Sequence, residues 1–205
     1  LDGTVDGLSI EGNLLDAPQL VTNGDFSDGT TGWTTDGSIL SIVDNNLNYL
    51  TTGSNGRAYQ AISLGINKYY VITKFRVVDI NAGAIYLDYF TTSTINLISQ
   101  SSPVQNTWYI LSSIFTNSST ITRLPQLRTS NSAINTQVDY VYAFNITTLI
   151  TKKQYSPMFG TTFDLMTDAD IKTQMDAWVQ DGTLPNDIQA VNAPKMTTKN
   201  ADESK

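Results

Sequence analysis

The stretch "KYYVITKFRVVD", residues 68–79, decides the fold of this chain. Most of its residues are aromatic or β-branched, and these residue types favour a pleated strand over a helix. The segments "GIN" before it and "NAG" after it have the composition of turns. The sequence therefore predicts a long β-strand that begins and ends at turns.

The same pattern repeats from about residue 21 to about residue 150. Short β-rich runs alternate there with clusters of Gly, Asn and Ser, and they include "SILSIVD", "LNYLTT", "RAYQAISL", "AIYLDYF", "TWYILSSIF", "LPQLRT" and "DYVYAFNI". Many short strands at regular spacing, with no helical pattern between them, are typical of an all-β antiparallel sandwich. An open barrel has the same sequence pattern and is the alternative.

The two flanks have a different composition. Residues 1–20 mix glycine, aspartate and apolar residues without a period, which predicts a lead-in segment. Residues 151–190 form a C-terminal extension, and a helix is predicted at about 168–180. Its apolar residues recur at helical spacing: Ile171, Met175, Trp178 and Val179. Residues 191–205 are polar and aperiodic, which predicts a flexible tail or a linker.

Composition excludes several kinds of site. The chain has no cysteine and no histidine, so disulfides, thiolate metal sites and histidine-based catalysis are excluded. A net charge of −7 argues against nucleic acid as a partner. The sequence contains no apolar run long enough to predict a membrane-spanning helix. The chain begins at Leu1 and shows no signal peptide, so we expect it to be a fragment of a longer protein.

Four segments, in this order, resemble one known family. They are "VTNGDFSDGTTGWTTDG" at residues 21–37, then "YQAISLGINKYYVITKFRV", "TWYILSSIF" and, much later, "VDYVYAF". Together they are similar to the jelly-roll domains of carbohydrate-binding modules, over about residues 20–146. The resemblance implies a jelly-roll β-sandwich with a short helical appendage.

The C-terminal part of the chain resembles a segment of another group of proteins. "AFNITTL" followed by "FGTTFDLMTDADIKTQMDAW" is similar to the segment that follows such jelly rolls in bacteriophage tail and baseplate proteins. The loop departs from that family because it lacks the usual Gly-Asn-Glu-Pro. The resemblance implies a place in the virion, extracellular when it functions, with other virion proteins or copies of this chain as partners.

The carbohydrate-binding family also implies a structural calcium ion between the first loop and the last strand. Calcium prefers six to eight oxygen ligands in irregular geometry. The positions that match the family are Asn23, Asp25, Asp28 and Asp139. Ser27 stands where the family commonly has Glu, and Tyr140 replaces a second Asp. The alternative is that Asp25 caps its own turn and Asp139 bonds to backbone amides.

Strand alternation and the resemblance together predict a binding face for a glycan of the bacterial cell surface. If Ile85 and Leu87 point to the core, their neighbours along the strand point outward. The predicted ligand-binding residues are Tyr59, Tyr86, Asp88, Gln126 and Arg128. The alternative is that Asp88 only pairs with Arg128 or Arg57. Trp33 and Trp108 are expected in the core rather than on this face.

Three functions follow from these patterns. The first is a non-catalytic carbohydrate-binding module for host-surface adhesion in a phage tail or baseplate. The second is a structural spacer or oligomerisation jelly roll without a ligand. The third is an accessory domain or catalytic domain of a polysaccharide-degrading enzyme, which needs two converging carboxylates. Glu11 and Glu203 are the only glutamates and lie in the flanks, so we expect no enzyme here.

Overall fold

The structure, a computed structural model, shows two five-stranded antiparallel sheets packed face to face. It describes residues 19–52, 55–79, 83–91, 93–130, 134–147 and 167–180. The predicted antiparallel jelly-roll β-sandwich is confirmed, and the open barrel is not what forms. Most of the predicted lead-in and all of the predicted C-terminal tail lie outside the described residues.

The first sheet is called the front sheet here. In spatial order it consists of β1 (Thr34–Asp36), β4 (Arg57–Tyr59), β9 (Arg123–Thr129), β6 (Ile85–Phe90) and β7 (Thr94–Gln100). The second is called the back sheet, and its order is β2 (Ser38–Val43), β3 (Asn46–Thr51), β10 (Asn135–Asn145), β5 (Lys68–Asp79) and β8 (Trp108–Thr116). The core lies between the two sheets.

The first half of strand β5 is apolar on both faces because both faces are covered there. Tyr69, Val71 and Phe75 point into the core between the sheets. Tyr70 and Ile72 point the other way, into a second apolar cluster on the outer face of the back sheet. A strand covered on both faces has a nearly continuous apolar sequence rather than an alternating one.

The outer face of the back sheet is covered by the C-terminal helix α1 (Asp168–Gln180), which confirms the predicted helical appendage. Ile171, Met175 and Val179 lie on one face of α1 and are buried against the back sheet. The Tyr70 hydroxyl donates a hydrogen bond of 2.6 Å to Asp176 in α1. Trp178 also belongs to the predicted apolar stripe, but its side chain lies outside the described part of the structure.

The glycine-rich loop at residues 21–33 is closed by its own polar groups. The Asn23 side-chain amide donates to the carbonyl oxygens of Gly29 and Thr31. The Trp33 indole donates to the Asn23 carbonyl oxygen, and its ring lies 5.4 Å from the buried Phe26 ring. The turn-forming residues therefore let the chain fold back over two core aromatic rings, and the expected burial of Trp33 is confirmed.

Trp108 is not in the core, so that expectation was wrong. It is 37% exposed on the outer face of the back sheet, where it lies opposite Arg76. The next residue, Tyr109, takes the inward position and stacks on Phe75. Successive residues of a strand point to opposite faces, so only one of the two aromatic residues can enter the core.

Candidate functional site

The strand register brings all five predicted ligand-binding residues to one patch of the front sheet. In one row across β4, β9 and β6, Tyr59 lies opposite Gln126, which lies opposite Asp88. The next row is Arg57, Arg128 and Tyr86. Residues directly opposite each other in paired strands share one face of a sheet. Since Leu87, Leu127 and Ala58 point into the core, the two rows lie on the outer face.

Arg128 is the centre of this patch. Its Nε donates to Asp88 Oδ2 at 2.7 Å, in an ion pair whose aspartate side chain is fully buried. Its two terminal nitrogens donate to Asn55 Oδ1 at 3.1 Å and to Asn96 Oδ1 at 2.7 Å. The guanidinium also stacks on the Tyr86 ring, 4.0 Å from the ring centre. Arg128 is therefore fixed by four neighbours.

Asp88 and Gln126 are fully buried although they lie on the outer face. Gln126 Oε1 and Arg57 Nε are buried and have no hydrogen-bond partner in the described chain, whereas the Gln126 side chain interacts with the Asp88 carboxyl and, against the larger effect of burial, lowers its pKa. Buried polar groups in proteins nearly always bind protein, water or ligand. The patch therefore has unused hydrogen-bonding capacity just below its surface.

Burial also changes the acidity of Asp88. Removal from water disfavours the charged carboxylate, and this raises the pKa of Asp88 above its ordinary value. The neighbouring Arg128 opposes that shift, through its hydrogen bond and its charge. The structure thus favours the sequence interpretation in which Asp88 pairs with Arg128.

Arg123 belongs to the same patch and was missed from the sequence. Its guanidinium lies 4.3 Å from the centre of the Tyr59 ring. Between the pair Asp88–Gln126 and the pair Phe90–Arg123, strand β9 contains one extra residue, a β-bulge. The bulge shifts the alternation and brings Arg123 to the outer face. The signal in the sequence was Pro125, because proline inside a strand marks edges and bulges.

The residues predicted to hold calcium make other contacts. Asp25 Oδ1 accepts hydrogen bonds from the backbone amide and the hydroxyl of Ser27, and Asn23 Oδ1 accepts one from the Asp28 amide. Asp139 forms an ion pair of 2.7 Å with Lys74. Among the described residues, no three acidic, histidine or cysteine side chains come together as a metal cage. The described contacts are those of a hydrogen-bonded turn and a separate ion pair.

Calcium binding stays a prediction from the sequence, and melting experiments check it. If the folded protein binds calcium and the unfolded chain does not, excess calcium raises the melting temperature. EDTA then lowers the melting temperature, and Asp139→Asn removes the response. If calcium and EDTA leave the melting temperature unchanged and elemental analysis finds no metal, the loop is a turn only.

No protein-family model matches the chain, and no curated protein matches it. Solved structures of carbohydrate-binding modules share its fold. One is the CBM22-1 xylan-binding domain from Paenibacillus barcinonensis Xyn10C, with a TM-score of 0.54 and 11% identity over 64% of this chain and 96% of that one. The likeness at this identity concerns the fold, and it confirms the carbohydrate-binding-module-like jelly roll at that level.

A second solved structure contains the CBM22-1 and GH10 modules of Clostridium thermocellum endo-1,4-beta-D-xylanase 10B, complexed with xylohexaose. The TM-score is 0.51 and the identity 15%, over 62% of this chain and 28% of that one. The chain thus spans less than a third of the xylanase structure. Within the described residues, no helix is long and apolar enough to cross a membrane.

Proposed function

We propose that the outer face of the front sheet binds carbohydrate and that the protein is a non-catalytic binding module. The observation that carries the proposal is the patch built from Tyr59, Tyr86 and Arg128 over the buried Asp88 and Gln126. A sugar presents a C–H face that packs on an aromatic ring, and its hydroxyls need hydrogen-bonding partners. The patch combines two half-buried rings with unused polar atoms. The carbohydrate-binding modules that share the fold support the same role.

The acidic residues of the front sheet support a binding role over a catalytic one. Its strands carry Asp36 and Asp88. Asp88 is buried and bonded to Arg128, and Asp36 lies 3.9 Å from Arg57. Glycoside hydrolysis uses two carboxylates that flank the scissile bond, one of them able to deliver a proton. These two aspartates are each paired with an arginine, so the proposed module holds glycan without cleaving it.

The proposal extends to host-surface adhesion in a phage tail or baseplate. What supports this setting is the sequence resemblance of the C-terminal part. A single site made of exposed stacking and a few hydrogen bonds gives modest affinity, and a repeated structure compensates through avidity. Binding of fluorescently labelled protein to intact bacteria, compared between monomeric and bead-coupled forms, checks this part of the proposal.

A ligand-free spacer is the second candidate function. It is favoured by the contacts of the two tyrosine rings, since each already carries a stacked guanidinium inside the domain. In this interpretation the rings only complete the packing of the sheet surface. A glycan array with the whole chain separates the two candidates, because a spacer gives no signal above a protein of equal charge.

Tyr86→Ala is expected to weaken glycan binding about tenfold, since loss of an aromatic stacking partner is worth about 1 kcal/mol or more. The fold is expected to persist, because Tyr86 lies on the outer face and is half-buried. Isothermal titration with the best glycan from the array measures the change. Trp108→Ala is the matched control, because it removes an exposed aromatic side chain from the back sheet.

Two results contradict the assignment of this face. If folded Tyr86→Ala binds as tightly as the parent, the ring is no stacking platform. If Trp108→Ala loses binding instead, the back sheet holds the glycan. Far-ultraviolet circular dichroism of both variants shows that the comparison is made between folded proteins.

A further inference from the structure

We propose that the glycan bound by the front sheet is acidic and carries a carboxylate or phosphate that lies between Arg57 and Arg123, beside Tyr59. This inference rests on the proposed carbohydrate-binding function and adds the chemical class of the ligand. A neutral glycan satisfies the proposed function but not this inference, so the two are separable by experiment.

The arginines of the chain are concentrated on one face. The sequence contains four arginines, Arg57, Arg76, Arg123 and Arg128, and the last two lie with Arg57 on the front sheet. The strands of that sheet carry no lysine and two aspartates, Asp36 and Asp88. Three cations therefore face two anions, on a chain whose net charge is −7. This face therefore carries a small positive net charge, although the whole protein is negatively charged.

The arginines of this face differ in how firmly they are held. Arg128 has its aspartate at 2.7 Å and two asparagine partners. Arg57 has Asp36 at 3.9 Å, and the Asp36 side chain is 64% exposed. An ion pair at that distance and exposure contributes little, and the buried Arg57 Nε has no hydrogen-bond partner. Arg57 is thus held less firmly than Arg128, since its ion pair with Asp36 is long and exposed.

Tyr59 sits between two guanidinium groups. Arg57 is two residues away on the same strand and therefore on the same face. The Arg123 guanidinium lies 4.3 Å from the Tyr59 ring centre. A sugar packed beside this ring brings an attached carboxylate or phosphate within reach of both arginines. Guanidinium groups bind such anions through paired, charge-assisted hydrogen bonds, which are stronger than bonds to neutral hydroxyls.

The fourth arginine provides the contrast and the control. Arg76 lies on the back sheet, where its Nε and one terminal nitrogen donate to Gln137 Oε1 at 2.8 and 2.6 Å. It also stacks on Trp108 at 4.9 Å. Arg76→Gln removes the same charge as Arg57→Gln, but from the opposite face of the sandwich.

The test compares a carboxylate polymer with its neutral methyl ester and adds a phosphate polymer. Binding of the whole chain to polygalacturonate, to its fully methyl-esterified form and to poly(glycerol phosphate) is measured by biolayer interferometry at two salt concentrations. We expect at least one acidic polymer to bind about tenfold more tightly than the neutral ester, with weaker binding at high salt. We expect Arg57→Gln and Arg123→Gln each to remove most of that preference, and Arg76→Gln to leave it unchanged. The two acidic polymers distinguish a carboxylate ligand from a phosphate ligand.

Each contrary result has one meaning. Equal binding of the neutral ester and both acidic polymers, lost in Tyr86→Ala, overturns the acidic class and keeps the proposed function. Binding of a neutral glycan on the array, with no binding of either acidic polymer, does the same. An equal loss in Arg76→Gln shows general charge attraction and overturns the inference. If no glycan of any kind binds, the proposed function fails and the inference fails with it.

Discussion

Asp88→Ala is expected to lower the free energy of unfolding by about 3–5 kcal/mol, the usual cost of removing one partner of a buried ion pair. The Asp88 side chain is fully buried and Arg128 is 12% exposed, so the arginine left behind gains little from water. Arg128 also links Asn55, Asn96 and Tyr86. We therefore expect the whole patch to loosen, and glycan binding to fall with it.

Urea denaturation followed by tryptophan fluorescence measures the loss for Asp88→Ala. Asp36→Ala is the control, because Asp36 forms the same type of pair with Arg57 on the same sheet but is 64% exposed. Exposed pairs contribute about 0–1 kcal/mol, so this control is expected to change stability little. Equal effects of the two substitutions contradict a structural role for the buried pair.

Met175→Ala is expected to detach helix α1 from the back sheet. The Met175 side chain is fully buried. With Ile171 and Val179 it forms one apolar cluster with residues of β5 and β10. Truncation of a buried methionine to alanine costs about 2–5 kcal/mol, because transfer energy is lost and a cavity is left. The helix is amphipathic and short, and isolated helices of this length are marginal in water. Its stability therefore depends on this contact.

Hydrogen exchange by mass spectrometry locates the effect of Met175→Ala. We expect faster exchange in residues 168–180, and little change in strands of the front sheet. Thr173→Ala is the control, since Thr173 is exposed on the same helix and its hydroxyl donates to the Ala169 carbonyl oxygen. Uniformly faster exchange throughout the sandwich contradicts local detachment and shows that α1 is part of one cooperative unit.

Helix α1 also has polar contacts that the apolar stripe did not predict. The buried Tyr70 hydroxyl donates to Asp176, and Lys68 pairs with Asp168 at 2.6 Å. Burial, together with the Asp176 carboxylate, raises the pKa of Tyr70, so its hydroxyl keeps the proton that it donates. Long-range pairs of this kind join residues about a hundred positions apart, and no local pattern in the sequence reports them.

The front-sheet patch was predictable as far as strand alternation applies. The apolar positions Ile85, Leu87 and Leu127 fix which residues of β6 and β9 face outward. From these, the outward placement of Tyr86, Asp88 and Arg128 follows. Alternation gives the face of a side chain but not its depth, so the complete burial of Asp88 was not predictable. That burial depends on neighbours brought from other strands and loops, such as Asn55 and Asn96.

Two other features show where reasoning from the sequence stops. Arg123 was missed because the bulge in β9 adds one residue and changes the alternation beyond it. Trp108 was placed in the core because it opens an amphipathic strand, whose alternate residues face the core. The register instead gives the inward position to Tyr109 and leaves Trp108 stacked on Arg76. A one-residue change in phase decides both cases.

The stacking of Arg128 on Tyr86 has a consequence for conformational entropy. A free tyrosine or arginine on a protein surface samples several rotamers, and binding a ligand costs the freedom of each side chain that it immobilises. Arg128 is already fixed by Asp88, Asn55 and Asn96, and the Tyr86 ring lies against it. A molecule that packs on this ring therefore meets a surface whose torsions were set during folding, and more of its contact energy remains as affinity.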